Sequence, residues 1–306
     1  MAVCEDTLIA VLPGGVLKEV PKKEFVYNGT KRARRDEKIF ADKTIDRVKT
    51  IWPFSQSADK IVISREGTAW HLLVEVSAEE FLQADEWEEC RRALAAGGLM
   101  IPCEKDADSL ICGAQNGDIV RLPADKLCAW QGQRQVVRIG EAHLAAACFC
   151  KATDDILLIS EKGQALRTHV SDLYKRVDIG GGLTKGMRMK TGTDDRLCCC
   201  LVYRPKRSLI AISQQRKLLV LRVDSKEKAQ LRAQGHVGEG VCLVYVEGSD
   251  RLAEVLYTDQ AVLLLSDSGY AQCRDVSVLR EKGRRAKGIE GMKRGQIIRA
   301  VCAKVK

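Results

Sequence analysis

Cations cluster in three short stretches of this chain. Lys31, Arg32, Arg34 and Arg35 form the first, Lys175, Arg176, Lys185 and Arg188 the second, and Lys282, Arg284, Arg285 and Lys287 the third. Side chains of this type neutralise phosphates and release condensed counterions, which gives salt-sensitive binding to a polyanion with little dependence on base sequence. Glycine accompanies two of the stretches, as Gly180-Gly181-Gly182 and Gly283. It lets backbone N–H groups come close to a phosphate oxygen. Lys18, Arg121 and Arg167 stand near the ends of extended segments and would lengthen the same track. Any one cluster reads equally well as a solvated loop, so the case rests on how the clusters are placed relative to one another.

Other chemistries find little support. His71, His143, His169 and His236 are scattered, and no nucleophile elbow, zinc-binding helix or phosphate-binding loop is present. The Gly180-Gly181-Gly182 run lacks the Gly-Lys-Ser/Thr ending of a P-loop. His169 and Asp172 read as a structural pair. No cofactor, metal or small-molecule substrate is expected. The 13 cysteines include no Cys-x-x-Cys pair. Cys148 and Cys150 flank Phe149, and Cys198, Cys199 and Cys200 are consecutive, so both groups read as small hydrophobes in strands. The start has no basic region followed by an apolar stretch, and no apolar run reaches membrane-spanning length, so a cytoplasmic location with the nucleoid is expected. Lys and Arg number 50 against 41 Asp and Glu, a formal charge of +9, which suits an anionic partner if the bases share a face. Aromatics make up 5% of the chain, too few for a run of stacking platforms, which favours duplex over single strands.

The elements that must place these bases follow from a repeat. A short apolar run, a turn and a returning run recur six times: TLIAVLPGGVLKEV from Thr7, KIVISREGTAWHL from Lys60, SLICGAQNGDIVRL from Ser109, DILLISEKGQALRT from Asp155, SLIAISQQRKLLVLR from Ser208 and AVLLLSDSGYAQCR from Ala261. The turn carries Gly15, Gly67, Gly117, Gly163 and Gly269 in five copies and Arg216 in the fifth-placed one. Each copy is predicted to be a β-hairpin whose turn needs a positive φ. A second recurrence, Asp46-Arg47-Val48, Asp195-Arg196-Leu197 and Asp250-Arg251-Leu252, leads into a further apolar strand. The copies begin 46 to 53 residues apart, a propeller-like period that predicts six blades, approximately 1–57, 58–106, 107–152, 153–205, 206–258 and 259–306, in one all-β domain. Three of the blades then carry their bases at matching places, which sets them on one outer rim. Gln131-Gly132-Gln133-Arg134 shows the weaker bases of the others, so the track is partial. Ser77 and Glu80 form a capping box that opens a helix of four turns through Leu94, a helical insertion in the second blade. Residues 75–90 hold seven acids and no base. That patch should lie off a DNA path or meet another partner, and covering a sheet edge accounts for it equally well.

The stretches ILLISEKGQALRTHVSDL (156–173), GGGLTKGMRMK (180–190), DDRLCCCLVY (194–203), LLLSDSGYAQCRDVSVL (263–279) and GRRAKGIEGMKRGQIIRAV (283–301) resemble blades of the C-terminal domains found in the A subunits of DNA gyrase and topoisomerase IV. The resemblance covers the six blades, most closely the first, fourth and sixth. It implies a six-bladed β-pinwheel, a propeller variant whose blades exchange strands. It also implies a non-catalytic role, wrapping or bending duplex DNA for the catalytic portion of a type IIA topoisomerase. In that family the cleaving tyrosine lies in a separate domain, and none of Tyr27, Tyr174, Tyr203, Tyr245, Tyr257 and Tyr270 matches its motif. Gyrase-type domains carry a Gln-Arg-Arg-Gly-Gly-Arg-Gly box where this chain has Tyr27-Asn28-Gly29-Thr30-Lys31-Arg32-Ala33-Arg34-Arg35. The bases are kept and the glycine series is lost, which points to bending of the topoisomerase IV kind or to a diverged stand-alone paralogue. The competing class is a protein-interaction propeller. No Trp-Asp dipeptide occurs, which argues against the WD40 type, while kelch-like and regulator-of-chromosome-condensation-like rings share the period and stand as alternatives.

Overall fold

The computed structural model describes residues 2–3, 7–20, 36–40, 45, 47–173, 177–190, 192–205, 207–221, 231–235, 237–258, 260–282 and 284–305. All six hairpins form: Thr7–Val11 with Leu17–Val20, Lys60–Ile63 with Thr68–Leu72, Ser109–Ala114 with Asp118–Pro123, Asp155–Ser160 with Gln164–His169, Leu209–Ser213 with Lys217–Leu221, and Ala261–Ser266 with Tyr270–Asp275. Their turn residues are left-handed, Gly15, Gly67, Gly117, Gly163 and Gly269 at φ 85°, 90°, 84°, 82° and 69°. Arg216 adopts the same conformation at φ 72°, and its guanidinium donates to the Lys293 carbonyl. At Gly117 a side chain is also sterically shut out, because a Cβ there would stand 2.0 Å from the Met187 carbonyl oxygen.

Two further recurrences tie down these turns. The hydroxyls of Ser64, Ser160, Ser213 and Ser266 each accept the backbone N–H four residues on, at 3.2 Å. The aspartates of the Asp-Arg-Leu motif bind the same turns from the other side. Asp195 accepts Ser160 Oγ at 2.7 Å and the Lys162 N–H at 2.9 Å, and Asp250 accepts the Gln215 N–H at 2.9 Å. A short polar side chain thus supplies what the tight backbone cannot.

A third strand pairs with the first strand of each hairpin: Thr50–Phe54, Leu99–Pro102, Leu144–Cys150, Leu197–Val202, Leu252–Tyr257 and Ile297–Val305. The sheets are completed by exchange. Gln133–Gln135 from the third repeat pairs with the second hairpin, Thr184–Lys185 with the third, Val241–Cys242 with the fourth and Ile289–Glu290 with the fifth. Glu37–Lys38 of the first repeat pairs with the sixth hairpin. The first sheet has three strands among the described residues. The second repeat, which would donate its fourth, carries helices instead.

Those helices depart from the expected single one. Helix α1 (Ala78–Gln83) is capped by Ser77, whose Oγ accepts the Glu80 N–H at 3.1 Å. A 3-10 turn at Asp85–Trp87 then separates it from α2 (Glu88–Ala95). On one continuous helix Phe81 and Trp87 would point about 120° apart. The break brings their rings to 6.4 Å, and Phe81 also stacks on Phe54 at 5.5 Å. Arg91 closes the gap by donating to the carbonyls of Phe81 and Ala84 at 2.6 and 2.8 Å.

The chain forms two compact units. One comprises Met1–Pro53, Arg204–Gln230 and Cys242–Lys306, and the other Phe54–Tyr203 with Leu231–Val241. Hence the first unit holds the first, fifth and sixth sheets, and the second unit the second, third and fourth. Alternate residues of one strand serve two cores, as a doubly covered sheet requires. In the first unit Leu263 and Leu265 pack with Leu8 and Ala10, while Val262 and Leu264 pack with Ile210 and Ile212. In the second unit Leu110 and Cys112 pack with Ile61 and Ile63, while Ile111 packs with Ile156 and Leu158. Among the described residues no helix is long and apolar enough to cross a membrane.

Candidate nucleic-acid interface

In the first unit the connection between Tyr270–Asp275 and Ile289–Glu290 carries the densest basic stretch, and strand exchange fixes its course. Val276 to Lys282 run along the fifth hairpin, where the Lys282 N–H donates to the Val220 carbonyl at 2.8 Å. The chain turns at Arg284 and Arg285, the latter left-handed at φ 62° with its N–H on the Leu243 carbonyl at 3.1 Å. It then pairs through Ile289 and Glu290 with Leu218 and Lys217. Lys282, Arg284, Arg285 and Lys287 are all exposed. Lys287 lies 2.5 Å from Glu247 and 5.9 Å above the Tyr245 ring. Its hydrogen bond to Glu247 raises the Lys287 pKa and lowers that of Glu247.

This stretch borders a groove of about 550 Å³ floored by Leu218, Leu219, Val220 and Leu279. Arg280 and Lys293, which were not among the expected bases, are exposed and line the groove beside Lys282 and Lys287. A window count would have found them, since residues 280–294 hold seven bases against two acids, Glu281 and Glu290. Arg274 is 7% exposed beneath them, its Nη2 donating to the Glu290 carbonyl at 2.9 Å.

Lys18, also in this unit, is exposed on Leu17–Val20 with Nζ 5.7 Å from the Phe40 ring centroid. Lys31, Arg32, Arg34 and Arg35 lie outside the described residues, as do Lys175 and Arg176 of the second unit.

The second unit treats its bases differently. Lys185 sits on the donated Thr184–Lys185 strand opposite Asp118, and its Nζ is 3.0 Å from that carboxylate although the side chain stays 74% exposed. Arg188 is exposed, its backbone N–H held by the Gly238 carbonyl at 2.8 Å. Gly181 and Gly182 pair in parallel with Val137 and Arg138, and Arg138 Nε donates to the Gly180 carbonyl at 2.7 Å. Arg138 is exposed there and is a further base that the cluster pattern did not single out.

Arg121 and Arg167 are engaged internally. Arg121 Nε donates to Ser109 Oγ at 2.9 Å, and Nη2 lies 3.6 Å from Asp108. Desolvation pushes the Asp108 pKa upward, but its bonds with Ser109 and the Ala152 N–H and the charge of Arg121 outweigh it, and the net shift is downward. Arg167 holds Asp155 at 2.5 Å, donates to the Leu231 carbonyl at 2.8 Å and covers the Tyr203 ring at 4.0 Å. Both are thereby committed to joining neighbouring segments.

The acidic stretch also belongs to the second unit. Phe81, Cys90 and Leu94 are buried, so the helices cover part of the second sheet, while Asp85, Glu86, Glu88 and Glu89 are exposed around a hollow of about 600 Å³ with Trp70 and Trp87. The histidines of this unit make separate contacts. His71 is buried between the Trp130 carbonyl at 3.0 Å and Asp59 at 3.3 Å, and His169 pairs with Asp155 rather than Asp172. No group of three or more His, Cys, Asp or Glu among the described residues is placed to hold a metal.

No family model matches the chain. It is 26% identical over 203 residues to the DNA gyrase A subunit of Mycolicibacterium smegmatis (strain ATCC 700084 / mc(2)155), an alignment covering 63% of this chain and 23% of that protein. The chain thus spans about a quarter of the length of the curated relatives it matches. Its fold is that of the DNA gyrase A C-terminal domain, with a TM-score of 0.75 at 16% identity over 97% of this chain and 99% of that one. The C-terminal domain of DNA topoisomerase IV aligns at TM-score 0.63 and 13% identity, covering 98% and 93%. The E. coli ParC C-terminal domain aligns at 0.53 and 16%, covering 81% and 99%. The all-β, six-bladed pinwheel with a helical insertion in its second blade is therefore the architecture of this chain.

Proposed function

We propose that this chain is a non-catalytic duplex-DNA-binding module that bends DNA for the catalytic portion of a type IIA topoisomerase. The observation that carries the reading is the exposed run Lys282, Arg284, Arg285 and Lys287, held by strand exchange in a fold shared with gyrase A C-terminal domains. A fixed backbone presents cations at little entropic cost, and phosphates ask for nothing more specific. In the second unit Arg188 and Arg138 beside the Gly180-Gly181-Gly182 segment offer a second phosphate contact. The acidic insertion is kept away from DNA by its charge. Loss of the glycine series at residues 27–35 favours bending over full wrapping.

The test is a triple replacement, Arg284→Ala, Arg285→Ala and Lys287→Ala, assayed on a short labelled duplex across a salt series. If the contacts of Arg284 and Arg285 vanish, with Lys287 adding less because Glu247 already neutralises it, affinity near 0.1 M salt falls about 30-fold or more, and the slope of log K against log salt flattens by about 2. Unchanged affinity and slope would reject the reading and favour a protein-interaction propeller.

A further inference from the structure

Two pairs of cysteine thiols lie across the two seams of the second unit. Cys103 follows the third strand of the second sheet, and Cys128 ends helix α3 (Ala124–Cys128) behind the third hairpin. Their sulfurs are 3.7 Å apart. Cys148 lies on the third strand of the third sheet and Cys200 on that of the fourth, with sulfurs 3.0 Å apart. We infer that these pairs are modification sites, oxidised by a small-molecule disulfide to two protein disulfides that staple the second sheet to the third and the third to the fourth.

Placement singles these four out. A disulfide bond of about 2.0 Å requires the Cys148 and Cys200 sulfurs to close by about 1 Å, within the reach of side-chain rotation. Each pair includes at least one half-buried residue, Cys103 and Cys128 in the first and Cys148 in the second, whereas Cys200, like Cys90, Cys112, Cys150 and Cys273, is buried. Burial raises the thiol pKa of Cys90, Cys112, Cys150 and Cys273. The hydrogen bond with Cys148 and burial raise that of Cys200 as well, so Cys200 is set apart by its 3.0 Å contact with Cys148 and not by acidity. The hydrogen bond between Cys128 and Cys103 lowers the pKa of the first thiol and raises that of the second.

The chemistry balances. Cys148 loses its proton to solvent, and its thiolate attacks one sulfur of the small disulfide, forming a mixed disulfide and expelling one small thiolate. Cys200 then loses its proton and attacks Cys148 Sγ, forming the protein disulfide and expelling the second thiolate. The two small thiolates take up two protons, so two protein thiols are oxidised and one small disulfide is reduced. Cys128 and Cys103 follow the same course. The new links join residues 52 and 25 positions apart in sequence, which constrains the unfolded chain.

The whole chain, folded, is incubated with oxidised glutathione, quenched with an alkylating agent and mapped as unreduced peptides by mass spectrometry. The expected result is two linked pairs, Cys103 with Cys128 and Cys148 with Cys200. A Tm rise on the order of 5 °C should accompany them and reverse with dithiothreitol. Cys148→Ser should lose its own link and keep the other, which also reports that the variant is folded. Glutathione adducts without internal links, links shared at random among other cysteines, or no oxidation at all would overturn the inference.

Discussion

The two units join their sheets by different chemistry. In the first, the third strands of the fifth, sixth and first sheets meet around Arg299, whose guanidinium lies 3.0 Å from Glu254 and 4.4 Å from the Trp52 ring. In the second, the corresponding strands of the third and fourth sheets meet through Cys148 and Cys200. An ion pair with 25% and 15% of its side chains exposed has lost most of its water and depends on its partner, whereas thiols and methyl groups depend on fit. One repeat therefore tolerates either solution so long as the hairpin turns are kept. The surface differs in the same way, with bases concentrated at 280–294 in the first unit and acids at 75–90 in the second.

Removing one charge should show the contrast most strongly. Arg299→Met leaves Glu254 without its cation and should cost about 3 kcal/mol. Cys200→Ala, which removes one buried sulfur, should cost about 1 kcal/mol. Urea titration followed by residue-resolved hydrogen exchange separates the units, and equal losses would erase the distinction. Next in size is the turn that both units share. Gly117→Ala forces a Cβ onto the Met187 carbonyl at a positive φ and should cost about 2 kcal/mol, while Gly14→Ala, one residue before the equivalent Gly15 and with open space around it, should cost about 1 kcal/mol.

Smaller effects should appear in DNA binding. Arg188→Ala should weaken duplex affinity about threefold to tenfold, and Lys185→Ala less, because Asp118 already neutralises that ammonium. A larger effect from Lys185 would mean that the ion pair opens on binding. Smallest is the response to acid, where the units should differ in sign. Burial raises the Glu254 pKa above 4.5, against the opposing pull of Arg299. Its contribution to stability is therefore present below 4.5 and lost as pH rises through the folded value, and Glu254→Gln should flatten that dependence. The Asp108 pKa is depressed below 3.8, so its contribution is present above 3.8 and lost as pH falls through the folded value. Asp108→Asn should remove the second trend and leave the first, as thermal melts at successive pH values would report.

Much of the fold was legible because a hairpin is a local structure. Its apolar run, its positive-φ residue and its length all lie within about 15 residues. Arg216 could be placed at a glycine position on period alone, and its φ of 72° bears this out. Strand exchange was not visible in the residues, since two-residue strands such as Thr184–Lys185 carry no periodicity. The helix broke at Asp85–Trp87 because two aromatic rings needed the same cover, which local capping signals do not encode. Within the site, exposed bases in the 282–287 connection and at Arg188 were expected from sequence, and the structure leaves them exposed. Arg121 and Arg167 resemble them in sequence, because a basic residue at a strand end looks alike whether free or paired. Their partners, Ser109 and Asp155, stand twelve residues back on the facing strand of the same hairpin, two places from the direct register partners Ile111 and Leu157.

We propose that cations held by exchanged strands bind duplex phosphates. The most direct measurement is the affinity of the unaltered chain for a short duplex and for a single strand of equal length, followed by anisotropy from about 50 to 200 mM salt. The expected result is preference for the duplex with affinity falling at least about tenfold across that range. Binding to single strands alone, or tight duplex binding indifferent to salt, would contradict it.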